Sequence, residues 1–208
     1  MKVSALLAFL LLLRPSVDDD LLVWESTKPL QASDFKGEVP RFSTTAAMTS
    51  SRIHTSAKFP DRAHVIYTVT CEFDRQKSWM RPSSMDDPDL LGHEQLHFDI
   101  SEYHTRLLRR ELTRPMLFDD IRPRATFLRD SLSRECARWQ QKYDDQTSHG
   151  TDREEQHRWK AVIIKYLTSV NGYENPLVAC SIITSSPAPV STPVAERGDS
   201  TLAEPRTK

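Results

Sequence analysis

Residues 87–112, DPDLLGHEQLHFDISEYHTRLLRREL, decide how the chain is organised. Asp87 is a residue type that caps helix N-termini, Pro88 suits the first helical position, and Pro115 stops what begins there. The spacing predicts one helix from near Asp87-Pro88 to about Leu112. At about 100° per residue, Leu96, Ile100, Tyr103 and Leu107 fall on one apolar stripe, while Asp99, Glu102, Arg106 and Arg110 gather opposite it. The expectation is a helix with one buried face and an outer face laced with salt bridges.

Inside that helix lies His93-Glu94-Gln95-Leu96-His97. Histidines four residues apart project from one face about 6 Å apart along the axis, so two imidazoles can share one zinc ion. Glu94 stands about 60° round the helix from His97, close enough to reach a water on the metal without being a ligand. Metal-assisted hydrolysis needs that division of labour, since the ion polarises and the carboxylate moves the proton. The plain alternative is that both histidines are ordinary, partly buried helix residues.

A catalytic zinc site needs a third protein ligand, and the helix offers none. Glu102 lies about 140° from His97, and His104 returns to the metal face about 10 Å farther along the axis. The ligand must come from elsewhere in the chain. His149, in a polar turn from Asp144 to Gly150, is the leading candidate. Asp144 and Asp145 are the alternatives, which would leave His149 as a hydrogen-bond donor beside the site or a transition-state stabiliser. His54, His64 and His157 read as surface or core residues.

Around this helix, Val65, Tyr67, Val69, Cys71 and Phe73 alternate with Ile66, Thr68, Thr70 and Glu72, which predicts a strand with one face in the core. Leu21-Leu22-Val23-Trp24 reads as a short strand, and residues 41–59 suit weak strands better than helix. A second helix is expected over about 125–145 from Leu128, Leu132, Cys136, Trp139 and Tyr143. A third opens on the capping-box pattern Thr151-Asp152-Arg153-Glu154 and carries Trp159, Val162, Ile163, Tyr166 and Leu167. The fold class is therefore α+β, a small, mostly antiparallel N-terminal sheet followed by the HExxH helix and two more.

At 208 residues, 27% charged with a formal net charge of −1, the chain is sized for one domain and carries no basic surface that would suggest nucleic acid. Residues 1–17, with Lys2 and an apolar run ending at Leu13, read as a signal peptide too short to span a bilayer, which implies a secreted or periplasmic protein. No later stretch is a membrane span. The domain is expected over 18–184. Residues 185–208 are rich in Ser, Thr, Pro and charge and read as a disordered tail. Three cysteines, Cys71, Cys136 and Cys180, are too few for a disulfide scaffold and read as buried, unbridged thiols.

Ser78-Trp79, His93-Glu94-Gln95-Leu96-His97-Phe98-Asp99-Ile100, and Tyr143-Asp144 with Thr147-Ser148-His149-Gly150, Gln156 and Trp159, together with Asp34-Phe35-Lys36-Gly37, resemble an uncharacterised bacterial family labelled secreted zinc-dependent proteases. The resemblance covers about residues 22–170 and implies a zincin-like fold with a metal site. The leading expectation is an exported zinc metallopeptidase acting on a peptide or protein substrate, with His93, His97 and His149 on Zn2+ and Glu94 as general base. The alternatives are a non-catalytic binding or assembly module that keeps a zinc ion, and a non-peptidase amidase or cell-wall hydrolase.

Overall fold

The computed structural model describes residues 20–183; the expected leader over 1–17 and the tail over 185–208 lie outside them. In chain order come β1 (Leu21–Val23), β2 (Ala47–Met48), β3 (Ser51–Lys58), β4 (His64–Asp74), β5 (Trp79–Met80), α1 (Pro88–Leu112), β6 (Met116–Leu117), α2 (Ile121–Thr147), α3 (Arg153–Ser169) and β7 (Leu177–Ile183). The class is α+β, with a mostly antiparallel sheet ahead of three helices, as the sequence predicts.

β4 is the spine of the sheet because Val65, Tyr67, Val69, Cys71 and Phe73 all turn into the core. β3 pairs along one edge from Ser51 opposite Phe73 to Lys58 opposite Ile66. The other edge is shared by β1, with Val23 opposite Glu72, and β7, with Leu177 opposite Thr68. β6 adds a parallel pairing to β7. β2 and β5 form a separate two-stranded ribbon. β7 has no counterpart among the sequence expectations, although Val178 and Cys180 alternate with exposed neighbours as a strand packed on one face should.

α1 starts and stops where the sequence places it, and the Asp87 side chain accepts from the backbone N–H of Asp89 and Leu90. Its surroundings differ from expectation. Leu108 and Leu112 pack on Val65, Tyr67 and Val69, and Phe98 packs on Cys71 and Phe73. Leu96 and Ile100 meet Cys136, Tyr143, Trp159 and Ile163 from α2 and α3. The helix is thus a middle layer, covered by the sheet on one side and by two helices on the other.

The expected outer salt-bridge face is therefore largely interior. Glu102, Arg106 and Arg109 are 2%, 2% and 3% exposed. Glu102 Oε1 accepts from Arg106 Nε at 2.9 Å and Arg109 Nη1 at 2.8 Å, while Arg109 Nε donates to the Val69 carbonyl at 3.0 Å. Burial pushes the Glu102 carboxyl up, with the two guanidinium groups opposing it. Periodicity identifies a charged stripe but not how many layers will cover it.

α2 begins earlier than predicted and runs to Thr147, so Asp144 and Asp145 are helical rather than part of a turn. α3 is capped by Asp152, whose side chain accepts from Glu155 N, not by Thr151. Of the stripe predicted for α3, Trp159 and Ile163 are buried, while Val162 and Tyr166 remain exposed. Cys71, Cys136 and Cys180 are buried free thiols.

Candidate metal centre

His93 and His97 occupy the N-terminal half of α1 and are 3% and 7% exposed. One helical turn apart, their rings converge so that the two Nε2 atoms are 3.2 Å apart. The last turns of α2 bring Asp144 Oδ1 to 3.1 Å from His93 Nε2 and 2.9 Å from His97 Nε2. A tetrahedral ion bound at about 2.0–2.1 Å sets its donor atoms about 3.3 Å apart. The three donors match one face of such a tetrahedron. Among the described residues, this is the cluster that could hold a metal ion.

The donor set carries charge suited to a cation. Burial pushes the Asp144 carboxyl up, but hydrogen bonds to His93 and His97, and their charge when protonated, pull harder and hold it well below the usual carboxylate range. Tyr143 stacks on the His93 ring at 4.6 Å between centroids. Its own hydroxyl is held neutral by burial and by the neighbouring Glu94 and Asp144 carboxylates.

Glu94 is 3% exposed, and its Oε2 is buried with no hydrogen-bond partner among the described residues. The Nδ1 atom of His97 is likewise buried and unpartnered. Leaving such groups unmet costs on the order of 1–3 kcal/mol each, so orphans that crowd one site ask for a ligand. Glu94 lines a cleft of about 270 Å³ together with His93, His97, Gln140 and Asp144. Its opposite wall is residues 45–49, around β2. Arg81 holds that wall by donating from Nε to the Thr45 carbonyl at 2.9 Å, and Thr49 Oγ1 donates to the Glu94 carbonyl at 3.3 Å.

The sequence candidates separate clearly. His149 lies at the rim of the cleft, its side chain 59% exposed and its Nδ1 3.7 Å from Asp144 Oδ1. Asp145 points away, accepting from Gln141 at 2.9 Å. His104 is fully buried, with Nδ1 against the Ile100 carbonyl at 2.8 Å, and burial lowers its pKa. His54, His64 and His157 are exposed and stand apart from the cluster.

The loop that carries His149 is unusual. Ser148, His149 and Gly150 have φ of 49°, 52° and 84° in succession, three left-handed residues after the end of α2. Gly150 is required twice over. A side chain is disfavoured at that φ, and a Cβ would stand 2.9 Å from Cγ of His93. Sequence reasoning gave no site role to Gln140, Tyr143 or Gln156. For Gln140, Tyr143 and Asp144 the signal was the continuation of the Cys136-Gln140-Tyr143-Thr147 stripe, which extends α2 and turns Asp144 toward α1.

Comparison with protein-family models, with curated proteins and with solved structures finds no match.

Proposed function

We propose that this chain is an exported zinc-dependent hydrolase that cleaves peptide bonds, with His93, His97 and Asp144 as the metal donors and Glu94 as general base. The observation that carries the reading is Glu94 itself, a buried carboxylate with an unmet oxygen beside two histidines that converge on a third donor. A purely structural ion would give that carboxylate no task. Zinc, when bound by such a set, polarises a carbonyl and makes a water molecule easier to deprotonate. Glu94 Oε2 accepts the proton of the attacking water and then delivers it to the leaving nitrogen as the C–N bond breaks.

An extended substrate suits the cleft. Among the described residues β2 pairs with β5 alone, and its segment also lines the cleft, so main-chain groups there offer a ladder to a peptide strand. His149 at the rim offers a donor to the oxygen that gains charge as the carbonyl is attacked. Export rests on Lys2 and the apolar run that follows it.

Glu94→Gln tests the reading. The variant should bind zinc as wild type does and lose hydrolysis of a peptide library; survival of activity would remove Glu94 from the role of base. His149→Ala should keep the metal and lose activity. If it loses the metal while Asp144→Ala retains it, His149 rather than Asp144 is the third donor.

A further inference from the structure

The geometry points to Gln156 as the positioning residue that fixes the tautomer of His93, holding a hydrogen on Nδ1 so that Nε2 is the nitrogen offered to the metal position. The inference rests on the reading of His93, His97 and Asp144 as metal donors. Gln156 lies in the first turn of α3, and its amide is oriented by a neighbour outside the site. Nε2 of Gln156 donates to the Asp89 carbonyl at 2.8 Å. The opposite amide orientation would set two carbonyl oxygens against each other, so Oε1 is the atom turned toward the histidine.

That oxygen is 3.1 Å from His93 Nδ1 and also accepts from Tyr143 Oη at 3.3 Å. A carbonyl oxygen can only accept, so Nδ1 carries a hydrogen, and Nε2, which faces the Asp144 Oδ1 acceptor at 3.1 Å, is the nitrogen that a cation shared with that carboxylate would take. Tyr143 against the ring and Gly150 close to Cγ and Nδ1 prevent the imidazole from turning away. Among the described residues His97 has no such partner, since its Nδ1 is buried and unbonded. The two histidines are therefore unequal. His93 is set before any ion arrives, and α3 is coupled to the site through one amide.

The test compares Gln156→Leu with Gln156→Glu. Both lose the bond to Asp89, but only the glutamate keeps an oxygen for His93 Nδ1. Zinc affinity measured by competition with a chelator should fall about 10- to 100-fold in Gln156→Leu, the usual cost of losing such a partner, and stay near wild type in Gln156→Glu. In metal-free protein, the nitrogen NMR signature of His93 should show hydrogen on Nδ1 in wild type, and in Gln156→Leu that hydrogen should shift to Nε2, where Asp144 remains as acceptor. Equal affinities in all three proteins, or an equal loss in both variants, would overturn the positioning role. A wild type that binds no zinc yet shows the fixed tautomer would instead sink the metal reading and leave the Gln156 lock standing.

Discussion

The two halves of α1 bury charge in opposite ways. Toward the C-terminus, Glu102 is enclosed by Arg106 and Arg109, which in turn reach backbone carbonyls and Glu174. Toward the N-terminus, His93, Glu94 and His97 are as deeply buried, yet one carboxylate oxygen and one ring nitrogen have no partner among the described residues. Both clusters sit on one helix, the first against β4 and the second against the β2 segment. What separates them is whether their polar atoms are satisfied from within the chain. A closed network holds three layers together, while an open one beside a cleft is shaped for something from outside.

That contrast can be broken most forcefully at the two glutamates. Glu102→Ala strands two buried guanidinium groups and should cost about 3–5 kcal/mol in denaturant unfolding. Glu94→Gln in metal-free protein replaces a buried carboxyl group whose Oε2 has no partner among the described residues, and stability should be unchanged or higher. Equal destabilisation by both substitutions would mean that the two clusters play the same structural part.

Gly150→Ala should have a smaller effect on stability, about 1–2 kcal/mol for a side chain in the left-handed region. Its contact with the His93 ring adds a second consequence, weaker zinc binding. A variant that loses stability but binds zinc as wild type does would show that the close approach to His93 can relax.

The smallest effect concerns His104, which is buried on α1 against Tyr103 and Trp139. Burial lowers its pKa, opposed by the Ile100 carbonyl and the nearby Glu135. The unfolded chain takes up a proton below about pH 6.5 and the folded protein resists it, so stability should fall as the pH drops below that value. In His104→Phe the loss of stability between about pH 6.5 and 5 should be shallower than in wild type. Identical slopes would mean that His104 takes up its proton in the folded state as readily as in the unfolded chain.

The sequence was most readable where a feature is local. The limits of α1, its cap at Asp87, the alternation in β4 and the HExxH spacing are each set by neighbours a few residues apart, and each is found in place. What depends on distant packing was less readable. Arg106 and Glu102 look like an exposed i, i+4 pair until β4 and the 171–174 turn are laid over them. Asp144 was one of three candidates because the polar run 144–150 reads as a turn. Only the continuation of α2 to Thr147, followed by three left-handed residues, turns Asp144 inward and His149 to the rim. β7 was missed because a strand that completes a sheet from the far end of the chain carries little local signature beyond its alternation.

The most direct measurement is the metal content of purified wild-type protein beside His93→Ala, His97→Ala and Asp144→Ala. About one zinc ion per chain is expected in the wild type, lost or greatly weakened in all three variants while each stays folded. A wild type free of divalent metal, or an Asp144→Ala protein that holds zinc as tightly as wild type, would contradict the His93–His97–Asp144 site.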